Sequence, residues 1–312
     1  MKNIPLSRYA AFPFSRATRG KRDDAGGLAK PVPLRLLAWC SACVMRHGWC
    51  VALVAAMAMT TAPAHAGRSC EARKPTPQLI ERGMQLAQQT AAALDAEHAR
   101  SGTRVVVLGR AGQDLGKYGL RYSHLSWAYR TDAGPWRVLH KLNECGSALG
   151  HLYRQGLGEF FLDDLWRYEA VWAVPTPEVQ QRLLPVLEDG ARVRLLQHAP
   201  YSMVSYAWGR KYQQSNQWAL ETLALAMEPD SVRTRDQAQA WLQFKGYAPS
   251  VLKIGALTRL GGRVGSANIA FDDHPSEQRF ADRIETVTVD SVLAWLQRAQ
   301  LASRPVVFAV KY

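Results

Sequence analysis

Cysteine is scarce in this chain. Five cysteines in 312 residues are too few for a disulfide scaffold. Metal patterns are missing as well: beyond residue 66 there is no CxxC and no HExxH. Gly261, Gly262 and Gly265 are not followed by the Lys-Ser/Thr of a phosphate loop, and no Gly-x-Ser-x-Gly nucleophile elbow occurs. No metal and no cofactor is therefore expected. Internal repeats and sustained heptads are lacking, which excludes solenoids and coiled coils. Acids are in the minority, 26 against 39 bases. What remains is an apolar, aromatic chain with ten Trp, able to bury a sizeable core and unlike a disordered one.

The formal charge of +13 is unevenly spread. Residues 1–66 hold nine bases and two acids, leaving 30 bases and 24 acids for the rest. The later bases are scattered rather than clustered with stacking aromatics, so no nucleic-acid partner is expected. From Met45 the chain reads as a secretory signal. Arg46 and His47 give a positive start, Gly48 to Met59 is an uncharged run, and Ala64-His65-Ala66 is a cleavage triplet. Residues 1–44 read as an over-extended start, residues 45–66 as the signal peptide, and residues 67–312 as a single domain with a C-terminal extension. A membrane anchor over Leu34–Ala62 is the competing reading, but Arg46 and His47 would break it in the middle. No stable span is expected after cleavage, and the location is expected to be periplasmic or secreted. Cys40, Cys43 and Cys50 would leave with the leader. Cys70 and Cys145 would then meet an oxidising compartment, where one disulfide is the plain expectation.

Along the later chain, Thr76-Pro77 opens a helix with apolar residues at helical spacing from Leu79 to Leu94. Strands are expected at 104–109, 121–129, 136–141, 167–174, 283–289 and 305–311. Helices are expected at 147–156, 176–187, 215–227, 235–244 and 290–299. The glycine-rich stretch 255–265 reads as loop. Strands sit beside strands without βαβ alternation, so the fold class is α+β with a mostly antiparallel sheet and packed helices.

Several groups could carry chemistry. His124 and His140 flank a turn, and loop parity decides whether they meet. A three-residue loop pairs them, a five-residue loop from Thr131 to Pro135 makes them diagonal neighbours on one face, and an even loop separates them. Pro135 cannot donate to a ladder, which favours the five-residue case. Two adjacent imidazoles can act as base and orienter, although each alone suits a half-buried structural histidine equally. Ser215 stands at a helix start, where the dipole favours developing negative charge, with Asn216 beside it. Ser is also an ordinary N-cap. Asp272, Asp273 and His274 could hold a cation or orient a proton, but Asp residues before a Pro are common turn chemistry, and the turn is preferred. Cys145 could be a thiolate before a short helix, and its disulfide with Cys70 is the preferred alternative. Tyr201, Tyr206, Trp208 and Tyr212 could line a cleft or sit in the core.

The segments RYSHLSWAYR, VLHKLNECG, YQQSNQWALETLA and DDHP resemble a family of exported bacterial proteins known only as a domain of unknown function. The resemblance runs from Gly67 to Tyr312 and implies no activity. The order of a Ser-His strand, a polar residue on the next strand and a later helix start is also similar to circularly permuted papain-like proteins. These include cell-wall endopeptidase relatives and the lecithin–retinol acyltransferase type. That likeness implies His124 as base, His140 as orienter, Ser215 in the place of the nucleophilic Cys, and Asn216 with backbone amides around the oxyanion. The implied function is an exported hydrolase or acyltransferase acting on an amide or ester bond of the envelope. The alternative is a non-catalytic envelope module that kept the fold and binds a peptidoglycan peptide, a lipid or a protein.

Overall fold

The computed structural model describes residues 75–310. The expected leader, Cys40, Cys43, Cys50 and Cys70 lie outside the described residues. Helix α1 (Pro77–Ser101) opens as its sequence dictates. Thr76 caps it by accepting from the Leu79 amide at 3.3 Å, and Gly102 ends it at φ 73°. Six strands then build one sheet: β1 (Val105–Ala111), β2 (His124–Arg130), β3 (Trp136–Asn143), β4 (Gly150–Gly156), β5 (Arg167–Ala173) and β8 (Val306–Ala309). Their order is β4-β3-β2-β1-β5-β8 and every pairing is antiparallel. The fold is α+β, as the adjacency of strands in the sequence implies.

Strand alternation sorts the core into two faces. On one face Val106, Leu108, Ala128 and Val138 pack against α1 and the short helix α2 (Leu157–Phe161). On the other face Val105, Val107, Leu125, Trp127 and Leu139 meet four helices: α3 (Pro177–Glu188), α4 (Ser215–Met227), α5 (Arg235–Phe244) and α8 (Val289–Arg298). A third, smaller cluster joins Leu252, Ile254, Phe271 and Ile284. It lies beside the two-stranded sheet of β6 (Ser250–Lys253) and β7 (Arg283–Thr286).

Helix α4 is the axis of this arrangement. Every residue from Ser215 to Ala226 is buried, the polar Ser215, Asn216, Gln217, Glu221 and Thr222 included. Trp127 Nε1 donates to Ala219 O at 2.9 Å and ties the helix to β2. The β2–β3 register ends at Trp127–Leu139, and nearer the start of β2 the Leu125 amide donates to Asn216 Oδ1 at 2.8 Å. Asn216 thus joins the helix start to a strand.

Glu221, fully buried at the middle of α4, accepts from Arg235 Nε at 2.9 Å, Gln213 Nε2 at 2.5 Å and Gln239 Nε2 at 2.9 Å. Gln213 also accepts from Lys141 Nζ at 2.9 Å. Burial lowers the Lys141 ammonium pKa to about 7.

Two expectations are corrected. Residues 147–156 were expected as helix, but β4 occupies most of them and pairs with β3 from Asn143–Gly150 to Arg137–Gly156. An edge strand carries few apolar residues, so its period is faint in the sequence. Residues 255–265 were expected as loop, yet α6 (Ala256–Gly265) forms there. Leu257, Leu260 and Val264 recur at helical spacing, a pattern that the glycines mask in the sequence. A last short helix, α7 (Ser276–Phe280), precedes β7.

Removing the carboxylate at position 221 would leave Arg235 desolvated with no counter-charge. Glu221→Ala is expected to cost about 3–5 kcal/mol. Urea unfolding checks this, and Arg235→Leu in the same chain should recover part of the loss.

Candidate functional site

The β2–β3 loop has five residues, because Arg130 pairs with Trp136. His124 and His140 are therefore diagonal neighbours on one face. His124 Nε2 lies 2.8 Å from His140 Nδ1, and His140 Nε2 lies 2.8 Å from Gln155 Oε1 on β4. A carbonyl oxygen only accepts, so His140 carries its proton on Nε2 and its Nδ1 accepts from His124. The Phe160 ring closes over both imidazoles, with centroids 6.0 Å and 5.4 Å away. Arg110 stacks on that ring at 4.5 Å, and its guanidinium donates to Phe160 O and to the Asp163 carboxylate. Burial first, and the Arg110 charge second, hold the His124 pKa well below the usual imidazole value and lower that of His140 to about 4. Both rings are neutral at pH 7.

Ser215 is on the other side of the sheet. Alternation sends Leu125 and Trp127 toward α4, and His124 and Ser126 away from it. The imidazole of His124 and the hydroxyl of Ser215 are not brought together, so the implied triad is not assembled in this geometry. Asn216 is spent on structure, accepting from Leu125 and donating to Val287 O at 3.2 Å. Ser215 is not the N-cap either. Gln214 holds that position without capping, and its amide donates instead to Thr286 Oγ1 at 2.8 Å and Val287 O at 2.7 Å. The Tyr201 side chain lies beside Ser215 at this helix end. Burial raises the Tyr201 pKa, so this phenol is no base for the serine.

The start of α4 forms the floor of a cavity of about 400 Å³. Leu115, Tyr118, Leu120, Leu252, Ile254 and Phe271 contribute apolar wall. Ser123, Tyr201, Gln214, Ser215, Thr286 and Thr288 contribute hydroxyl and amide groups. Asp114 and Lys117 are the charged lining residues, and both are exposed.

The Asp272-Asp273-His274 segment is a turn directly after Phe271, which lines the cavity. Asp273 Oδ2 accepts from the Tyr206 amide at 2.8 Å, and His274 Nε2 donates to Val204 O at 2.8 Å. Asp272 pairs with Lys211 at 2.5 Å. These bonds hold the segment that carries Tyr201, Met203 and Val204 against the cavity. Among the described residues no group of three or more potential metal ligands occurs. Cys145 is exposed in the turn between β3 and β4 and does not line the cavity. Its expected partner, Cys70, is outside the described residues. Of the aromatic stretch, Tyr201 lines the cavity, while Trp208 packs against the main core and Tyr247.

The chain belongs to the family described as an uncharacterized protein conserved in bacteria (DUF2145). The family model matches residues 97–296. That span takes in the histidine pair, the lining of the cavity and Glu221, and leaves out β8 and most of α1. No curated protein and no solved structure matches the chain.

Sequence spacing missed Lys141, Gln213, Glu221 and Arg235, which set the position of the cavity floor. One signal was present. Lys141 alternates with Leu139, so a lysine falls on the core-facing side of a strand, where only a compensated charge can stay.

The two imidazoles should make the fold acid-sensitive. Their pKa values are depressed in the folded chain, so the stability they contribute is present above the unfolded value near 6.5 and is lost as pH falls toward about 4. The loss from His140 alone is on the order of 3 kcal/mol. Urea melts between pH 7.5 and 4 should show this slope, and His140→Gln should lower stability at pH 7.5 while flattening the acid limb.

Proposed function

We propose that this chain is a non-catalytic binding protein of the bacterial envelope. The cavity at the start of α4 takes a small ligand with an apolar body and an uncharged hydrogen-bonding head, such as an acyl or aryl amide or ester. One observation carries the reading: an apolar cavity ends on hydroxyl and amide groups, with its charged lining residues exposed. The volume of about 400 Å³ falls in the range of small-molecule sites. A charged head would have to shed its water against groups that carry no opposite charge, which favours a neutral one. The hydrolase or acyltransferase reading asks for a base on Ser215, and the two histidines face the opposite side of the sheet. Asn216, which would serve an oxyanion, is already bonded to Leu125 and Val287.

The neutral dye N-phenyl-1-naphthylamine should bind the purified protein with a rise in fluorescence. Met203→Trp, which fills the cavity, should weaken that binding about tenfold or more, the penalty of losing roughly 1.4 kcal/mol of contact. Ser215→Ala should weaken a head-group-bearing competitor by only a few-fold, the scale of one neutral hydrogen bond. A fluorophosphonate should not label the protein. Stoichiometric labelling that disappears in both Ser215→Ala and His124→Ala would restore the hydrolase reading.

Export and the Cys70–Cys145 disulfide belong to the same proposal. Alkylation followed by mass measurement on material from the oxidising compartment should show no modified cysteine before reduction and two after it. Alkylation of Cys145 before reduction would remove the disulfide from the reading.

A further inference from the structure

Helix α6 has two dissimilar sides. Thr258 and Gly262 line the cavity, and a Cβ at Gly262 would meet Ile269 at 3.3 Å and Phe271 at 3.8 Å. Leu257, Leu260 and Val264 point elsewhere and are 85%, 61% and 57% exposed. At 3.6 residues per turn these three fall within a sector of about 60°. None of the ten residues of α6 is buried. A helix with glycines at 261, 262 and 265 and no buried face has little to stabilise it in water, whereas an interface would order it.

The charges within the segment that carries this helix are of one sign, although Asp282 lies against it. From Val251 to Ser266 there are three bases, Lys253, Arg259 and Arg263, and no acid. Arg259 is held by Asp282 at 2.6 Å, and Arg263 is exposed. Lys253 stands directly across from Arg283 in the β6–β7 pair, and both are exposed. Like charges in facing positions repel, so this pair is better satisfied by an anionic surface than by water alone. A second copy of the chain meeting this face about a two-fold axis would bring the same cations together, which disfavours self-association.

We propose that the outer face of α6 docks on an anionic lipid bilayer and sets the cavity beside it, so that the cavity draws its ligand from the lipid. The second half of this inference rests on the binding reading above. The docking half does not. Leu257, Leu260 and Val264 would enter the boundary between headgroups and acyl chains, while Lys253, Arg263 and Arg283 meet the phosphates. Among the described residues no helix is long and apolar enough to cross a membrane, so this contact lies on the bilayer surface.

Co-sedimentation of the protein expressed from its full sequence tests the docking. Vesicles of equal phosphatidylcholine and phosphatidylglycerol should bind it, and vesicles of phosphatidylcholine alone should bind it far less. The triple change Leu257→Ser, Leu260→Ser, Val264→Ser should reduce the partition coefficient about tenfold or more, and Arg263→Glu by roughly fivefold, with the effect shrinking in high salt. All four side chains are exposed, so the melting temperature should stay unchanged. Equal sedimentation of the triple variant and the parent would overturn the proposal, as would failure of the parent to bind the anionic vesicles. Concentration-dependent self-association that the triple variant loses, without vesicle binding, would overturn it in favour of a second copy. Met203→Trp separates the two readings: it should weaken dye uptake about tenfold or more and leave vesicle binding intact. Dye uptake absent in the parent, with vesicle binding retained, would sink the ligand reading alone.

Discussion

Glu221 has no exposed surface, and its carboxylate sits half-way along a helix that is buried on every side. A lone charge there could not persist, so the chain must bring Arg235, Gln213 and Gln239 to it. Each of these fixes a different piece. Arg235 and Gln239 anchor α5, and Arg235 also donates to the carbonyl oxygens of Gly209 and Arg210 at 3.0 Å. Gln213 reaches back to the Leu196 carbonyl and shares its own oxygen with Lys141 on β3. The segment from Leu196 to Gln213 is thereby closed onto α4 at both ends. That segment carries Tyr201, Met203 and Val204, so one buried carboxylate determines where the cavity wall stands.

Strand parity controls the rest. The five-residue β2–β3 loop puts His124 and His140 on one face, and the same alternation sends Leu125, Trp127 and Leu139 to the other. The nucleophile position and the imidazoles are therefore separated by the thickness of a sheet, not by a loop that could move. A papain-like constellation needs the base and the attacking group on one face. Here the face toward α4 offers Leu125 where a base would be wanted. The imidazoles instead form a neutral chain ending on Gln155, under the Phe160 ring and the Arg110 charge. Such a pair stiffens a core at neutral pH and weakens it in acid.

Much of this was legible in the residues. Pro135 fixed the loop length, because it cannot serve in the ladder, and the loop length fixed the imidazole contact. The bounds of α4 and α5 were expected at 215–227 and 235–244, and the helices form there. What escaped has a common cause. Glu221, Arg235 and Lys141 are each unremarkable in sequence, and their meaning arises only from contacts 8 to 72 positions away. The strand β4 escaped because an edge needs no apolar face, and α6 because its glycines hide a three-residue apolar stripe. The face on which Ser215 would land was hidden but not silent. Leu125, Trp127 and Leu139 form the most apolar side of the hairpin, and the most apolar helix packs there. Matching those two faces puts His124 and Ser215 on opposite sides of the sheet.

The cavity and the helix that flanks it follow one physical logic. An apolar pocket open to water is filled by solvent that gains little from its walls, so a ligand with an apolar body displaces it readily. The polar floor then selects among such ligands, because Ser215, Tyr201 and Gln214 present neutral groups only. A ligand of that character is sparingly soluble and is concentrated in lipid rather than free in water. A binding protein that met it in solution would wait on a small free concentration. A wall helix with apolar residues outside, small residues inside and cations alongside shortens that path, because the same ten residues can touch the reservoir and border the pocket.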